Sequence, residues 1–282
     1  MKNIPFVFFG TPKLATLVLE ELKKEGHLPS LVVTAPDKPV GRGLKLTPSP
    51  VKVWTQENAI PTLEPEVFDE HTAQVLKEQG SVVFIVVAYG KILPQSVIDI
   101  PQKGILNVHP SLLPKFRGPS PVRSAILQDE KNTGVTVMKI DEKMDHGPIL
   151  VQEKYTPPTW PPNAKELDEY LFVRGGALLA DVLPKYVSGE ISPYEQDHEQ
   201  ATYCRLFTKE DGLINLVEDP YTNLLKIHAY RGWPNAYFFT ERDGKDVRIN
   251  IASAHIENDE LIIDEVIPEG KNKMSYDSFM QN

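Results

Sequence analysis

The sequence predicts an α/β chain in which a doubly wound, mostly parallel sheet is followed by a small, mainly β C-terminal unit. Three observations lead there. Short apolar runs alternate with segments of helical period as far as about residue 187, the pattern of a parallel sheet with helices on both faces. The runs at residues 6–9 and 82–88 are continuously apolar, as strands buried on both faces are. Beyond Thr208, short apolar stretches flank an Asp243-Gly244 pair, which signals a hairpin turn.

Taken in order, the first strand occupies residues 4–9, and Thr11-Pro12 supplies an N-cap and a first helical residue. Leu14, Leu17, Val18 and Leu22 give the helix its apolar face, and Gly26 closes it. A strand at 31–34, helices at 51–57 and 69–79, and the strand at 82–88 continue the alternation. Strands follow at 104–108, 134–140 and 149–155, with a helix at 121–128 between the first two. A long helix at 163–187 ends the first domain, residues 1–187. Residues 188–207 are polar, lack periodicity and read as a linker. The second domain, residues 208–282, is expected to hold a helix at 221–230 and strands at 236–240, 247–251 and 261–266.

Composition narrows the function classes. The 282 residues are 41% hydrophobic, ordinary for a globular protein. A net charge of -9 argues against a protein that coats nucleic acid, so any RNA contact needs a local basic patch. The single cysteine, Cys204, excludes an internal disulfide, and the seven histidines show no ligand-like spacing, so no metal is expected. The run Ile4 to Phe9 is too short for a signal peptide, and no apolar run approaches the roughly 20 residues needed to span a bilayer. The expected setting is a reducing cytoplasm without membrane contact.

In a doubly wound sheet, ligands collect beyond the carboxyl ends of the strands. Three segments are expected to converge there: 86–94, where an apolar strand breaks at Gly90; 107–118, where a strand end enters a proline-stiffened loop; and the polar loop 141–147. Asn107 and His109 project to one face, because alternate residues of a strand do. Acyl transfer to an amine needs a fixed donor for a developing oxyanion, which an Asn amide provides. It also needs a group that moves protons near neutrality, which His provides. Asp145 is the candidate carboxylate to orient the imidazole, while His146 reads as a solvated loop residue. Facing a cleft, His109 is expected to add little to packing. Residues 37–52 hold Lys38, Arg42, Lys45 and Lys52, and Gly41 and Gly43 let the backbone bend around a phosphate-bearing partner.

With Asn107-x-His109, Ser111-Leu112-Leu113-Pro114, and Asp145 two residues before Gly147, the chain resembles the formyltransferase family that uses 10-formyltetrahydrofolate. Phe9-Gly10-Thr11-Pro12, residues 37–52 and Arg117-Gly118 place the closer likeness with members acting on methionyl initiator tRNA. The resemblance spans nearly the whole chain. It implies a Rossmann-like first domain and a second resembling a truncated OB barrel, since too little chain separates Trp233-Pro234 from residues 268–279 for a complete one. It implies 10-formyltetrahydrofolate as cosubstrate and Asn107, His109 and Asp145 as catalytic residues. The pterin is expected against Val86, Val87, Ala88, Tyr89, Ile92 and Leu93 and the loop that holds Asp141. Ser111, Leu112, Leu113 and Pro114 are expected on the rim. Lys38, Arg42 and Lys45 are implied to approach the tRNA. The alternative acceptor is a nucleotide-linked amino sugar, which the surplus of acids over bases in residues 206–282 keeps open. A monomer is expected.

Overall fold

The computed structural model describes residues 4–40, 43–242 and 244–281, which form two compact units interleaved along the chain. One unit takes in residues up to 117 with 134–154 and 169–202; the other holds 118–133, 155–168 and the chain from 203 on. The expected contact residue Arg42 and the turn residue Asp243 lie outside the described residues.

The first unit is built on a seven-stranded sheet. Its strands are β1 (Phe6–Gly10), β2 (Leu31–Val33), β5 (Thr62–Leu63), β6 (Val83–Val87), β7 (Ile105–His109), β8 (Thr133–Lys139) and β9 (Ile149–Tyr155), in the order β5-β2-β1-β6-β7-β8-β9. The first five are parallel and β8 runs antiparallel to β7. The chain travels outward from β1 through β2 to β5 and returns to β6 on the other side of β1, so the topological switch point lies between β1 and β6. Helices α1 (Lys13–Lys24), α2 (Pro50–Glu57), α3 (Glu70–Glu78) and α4 (Gln95–Ile98) fill the crossovers, and the long α6 (Ala164–Ser188) follows β9. Between β2 and α2 the chain also forms a two-stranded antiparallel ribbon, β3 (Lys38–Val40) with β4 (Lys45–Thr47), which the sequence pattern did not signal.

Two local expectations change. The N-cap of α1 is Pro12, with no side-chain cap, because the Thr11 hydroxyl instead donates to the Tyr89 carbonyl at 3.2 Å. The buried face of α1 is Ala15, Val18, Leu19 and Leu22, an i, i+3, i+4, i+7 stripe rotated slightly from the one expected.

Gly10 is required by close approach. A Cβ there would stand 2.7 Å from both Ala15 Cβ and Phe8 Cε1 and 3.0 Å from the Val87 carbonyl oxygen, and the last of these is backbone that cannot yield. Gly10→Ala is therefore expected to cost about 1–3 kcal/mol, the usual scale of overpacking. A urea denaturation midpoint equal to the parent's would contradict this.

The second unit carries a four-stranded antiparallel sheet, β10 (Tyr237–Arg242), β11 (Lys245–Glu257), β12 (Glu260–Pro268) and β13 (Met274–Ser275), with a register shift in β11 near Ser253. Ile214, Phe238, Ile249, Ile251, Val266 and Phe279 form its core. Helix α5 (Pro121–Leu127) packs on α7 (Pro220–Ala229), and the short α8 (Tyr276–Gln281) is tied down where the Arg242 guanidinium donates to the Phe279 carbonyl at 2.6 Å.

Candidate active site

Strand β7 sorts its side chains by face. Gly175 of α6 sits so close to Val108 that a Cβ there would meet Val108 Cγ1 at 2.4 Å and Val135 Cγ2 at 2.8 Å, so Val108 faces the helix. Its neighbours Asn107 and His109 therefore point to the opposite face. In register, Asn107 lies beside Val86 of β6 and Met138 of β8. Its amide has no side-chain partner among the described residues and is half-buried. That leaves both N–H donors available.

His109 is buried, at 4% exposure. Its Nε2 lies 3.0 Å from the Phe116 carbonyl oxygen, which can only accept, so Nε2 carries hydrogen. Phe116 reaches this position through a left-handed backbone, φ 58°. Nδ1 then faces Asp145 Oδ2 at 3.7 Å, close enough for charges to interact but beyond a hydrogen bond. The structure thus brings together the three residues expected to do chemistry, with the carbonyl of Phe116 as a fourth group that the sequence did not flag. It also corrects the expectation that His109 adds little to packing, because the ring is enclosed and partnered.

Asp145 arrives by an indirect route. Because β8 is antiparallel, with Lys139 opposite Leu106, the following loop leaves the sheet at the start of β7 rather than at its carboxyl end. It turns back over the face, closed by Lys139 N–H donating to the Pro148 carbonyl at 2.8 Å, with Asp145 itself left-handed at φ 48°. Asp141 is consumed inside this loop. Its carboxylate accepts from Lys143 N–H at 2.9 Å and lies 2.7 Å from His146 Nδ1. His146 is therefore not a merely solvated residue, and its ring also stacks on His198 with centroids 4.0 Å apart.

The loop after β7 is held rigidly. Thr136 Oγ1 donates to the Ser111 carbonyl at 2.6 Å and accepts from Leu113 N–H at 3.3 Å, and the Ser111 hydroxyl donates to the Lys115 carbonyl at 2.7 Å. Leu113 packs with Met138 and Ile149. Ser111 and Leu113 thus turn inward as scaffold, and Leu112 and Pro114 keep partly accessible side chains.

A similar division corrects the expected pterin wall. Val87, Tyr89 and Leu93 point into the core; Tyr89 packs edge-on to Phe9 and Phe68, and burial pushes its phenol up to about 12. Val86, beside Phe9 and Asn107 in register, is only partly buried where it packs against the same cluster as Tyr89 and Leu93, while Ala88 is exposed and Ile92 is 91% exposed. Ala88 and Gly90 both have positive φ, and the peptide N–H groups of Gly90 and Lys91 donate to no protein group among the described residues. Unclaimed donors beside the apolar Val86 and Ala88 are what a flat, polar-edged heterocycle requires, so the residues present fit a pterin. Among the described residues no group of three or more His, Cys, Asp or Glu could hold a metal ion, and no helix is long and apolar enough to cross a membrane.

The ribbon β3–β4 is exposed, and its pairing of Lys38 with Thr47 and of Val40 with Lys45 puts both lysines on one face. Lys52 does not join them, since it pairs with Asp37 at 2.8 Å and Glu64 at 3.0 Å.

The comparisons with known proteins agree with this geometry. Residues 2–157 match the Formyl transferase family. The methionyl-tRNA formyltransferase of Chloroflexus aggregans is 44% identical over 83% of this chain and 75% of its own length. Among solved structures, the methionyl-tRNA formyltransferase from Clostridium thermocellum superposes with a TM-score of 0.61 at 18% identity, covering 94% of this chain and 99% of that one. HypX from Aquifex aeolicus in complex with tetrahydrofolic acid superposes with a TM-score of 0.65 at 16% identity, covering 98% of this chain and 46% of that one. These two share the fold. By its sequence match over more than half its length and its identity to the Chloroflexus enzyme, the chain belongs to the formyl transferase family.

Proposed function

We propose that this chain transfers the formyl group of 10-formyltetrahydrofolate to the α-amino group of methionyl initiator tRNA. The observation that carries the reading is the grouping of Asn107, His109 and Asp145, with Asn107 donors unclaimed and His109 Nδ1 directed at Asp145. The relatives named methionyl-tRNA formyltransferase support the acceptor.

The folate supplies an activated formyl group when bound, held by Val86, Ala88 and the peptide groups of Gly90 and Lys91. Asn107 donates to the formyl oxygen, whose negative charge grows as the amine nitrogen bonds to carbon. His109 holds one proton at Nε2 against the Phe116 carbonyl, so Nδ1 is the nitrogen left to take the proton that the amine releases and to return it to the departing nitrogen. Asp145 supplies the opposite charge that the imidazolium then needs. No covalent enzyme intermediate is involved.

Residues 1–187 would form the catalytic domain, 188–207 a linker and 208–282 the smaller domain of a monomeric, cytoplasmic enzyme. Lys38 and Lys45, on one face of the ribbon, would meet tRNA phosphates together with Arg42. The double variant Lys38→Ala/Lys45→Ala is expected to raise KM for the tRNA and to flatten the dependence of log(kcat/KM) on log salt by about 2, roughly one for each phosphate no longer neutralised. The folate KM should stay at the parent value.

The acceptor is tested by supplying purified protein and 10-formyltetrahydrofolate with methionyl initiator tRNA, methionyl elongator tRNA and a panel of nucleotide-linked amino sugars. Formylation of the initiator species alone is expected. Preferential formylation of an amino sugar would overturn the assignment of the acceptor.

A further inference from the structure

The segment 194–202, polar and aperiodic in sequence, is laced onto the candidate active site. Tyr194 exchanges both backbone hydrogen bonds with Ile149, at 2.8 and 2.9 Å, and Thr202 exchanges backbone hydrogen bonds with Pro114 and Arg117 while its hydroxyl accepts from Phe116 N–H at 2.8 Å. Between these ties lies Gln196, only 5% exposed.

Every hydrogen-bonding position of the Gln196 amide is filled. Oε1 accepts from Arg117 Nε at 3.1 Å and from Arg117 Nη2 at 2.7 Å. Nε2 donates to the Asp145 carbonyl at 2.9 Å and to the Gly147 carbonyl at 2.7 Å. The orientation has no alternative, because a guanidinium only donates and a peptide carbonyl only accepts. Arg117 itself is 1% exposed, so its guanidinium acts as a fixed post from which the amide reaches the loop.

The two carbonyls so gripped bracket the place where the catalytic carboxylate is aimed. Asp145 is left-handed, φ 48°, a backbone uncommon outside glycine but one that aspartate tolerates in turns. At Gly147 a Cβ would lie 2.0 Å from the Lys139 carbonyl oxygen, so the far side of the turn is pressed against β8. Gln196 closes the near side. We infer that Gln196, seated on Arg117, is a positioning residue that sets the aim of Asp145 at His109. This rests on the role proposed above for Asp145.

Gln196→Glu separates positioning from mere support. The carboxylate keeps a partner for Arg117, indeed a charged one, but it sets an oxygen against the Asp145 and Gly147 carbonyls where a donor stood. The fold around Arg117 is retained while the loop loses its grip. Steady-state kinetics on the parent, Gln196→Glu, Asp145→Asn and the double variant provide the test. For Gln196→Glu, kcat is expected to fall about 10- to 100-fold, with KM for folate and acceptor within about 3-fold of the parent, because the aim and not the binding surface has changed. The double variant is expected to be no slower than Asp145→Asn alone. Parental turnover in Gln196→Glu, or losses that multiply in the double variant, would overturn the inference and leave the Asp145 role standing. Parental turnover in Asp145→Asn would remove the Asp145 role itself. Should Gln196→Glu not fold, the same cycle with Gln196→Ala yields the same outcomes.

Discussion

His109→Gln is expected to lose about 100- to 10,000-fold in turnover, the range typical of removing a positioned acid–base group, while melting close to the parent. Glutamine can keep a donor near the position of Nε2 and so continue to satisfy the Phe116 carbonyl, which the ring now meets at 3.0 Å. What it cannot replace is Nδ1, the nitrogen facing Asp145. His109→Ala should lose as much activity and also about 1–3 kcal/mol of stability, because it strands a buried carbonyl and empties an enclosed site. The pair of variants separates chemistry from folding. If His109→Gln turned over like the parent, proton transfer at Nδ1 would have to be abandoned, whatever the alanine variant did.

The difference between these two variants rests on a hydrogen bond that no reading of residue types reveals. The identity of His109 as a reactive residue was legible, because Asn107-x-His109 at the end of a strand puts an amide and an imidazole on one face. Its partner, however, is the backbone carbonyl of Phe116, and backbone groups carry no residue signature. Gln196 escaped for a related reason. It sits in a stretch without hydrophobic period, and only the folded loop shows that its amide spans from Arg117 to two carbonyls.

The sheet shows the same division. Continuous apolar runs identify β1 and β6 as strands buried on both faces, but an apolar run says nothing about direction, so the antiparallel sense of β8 was invisible. The consequence is functional, since it sends the loop of Asp145 away from the site before it returns. The ribbon β3–β4 went unread because it is exposed and rich in Gly, Pro and Lys, leaving no alternation of apolar and polar residues to detect. For residues 86–93 a period of two misleads, because the strand ends at Val87 and the chain turns at Ala88, φ 47°. Val86 shares a face with Phe9, its partner in register, and Tyr89, past the turn, packs on the same cluster of Phe9 and Phe68, while Val87 lies on the opposite face of the strand.

Asn107→Ala is expected to reduce kcat about 100- to 1000-fold, corresponding to the roughly 2.7–4 kcal/mol measured for loss of one oxyanion donor. Unlike His109, Asn107 has no side-chain partner among the described residues and is half-buried, so its removal strands nothing and the melting temperature should hold. The form of the loss matters more than its size. A donor that meets an oxygen only once charge has developed contributes to the transition state and not to the ground state. Consequently kcat and kcat/KM should fall by the same factor, with KM for both substrates near the parent values. Asn107→Asp gives a second test of nearly identical shape: it replaces the donor by an acceptor, which would repel the growing negative charge, and its turnover should be no higher than that of the alanine variant. A rise in the folate KM with kcat preserved would instead make Asn107 a binding group for the bound formyl donor, and the stabilisation of the oxyanion would have to come from elsewhere in the site.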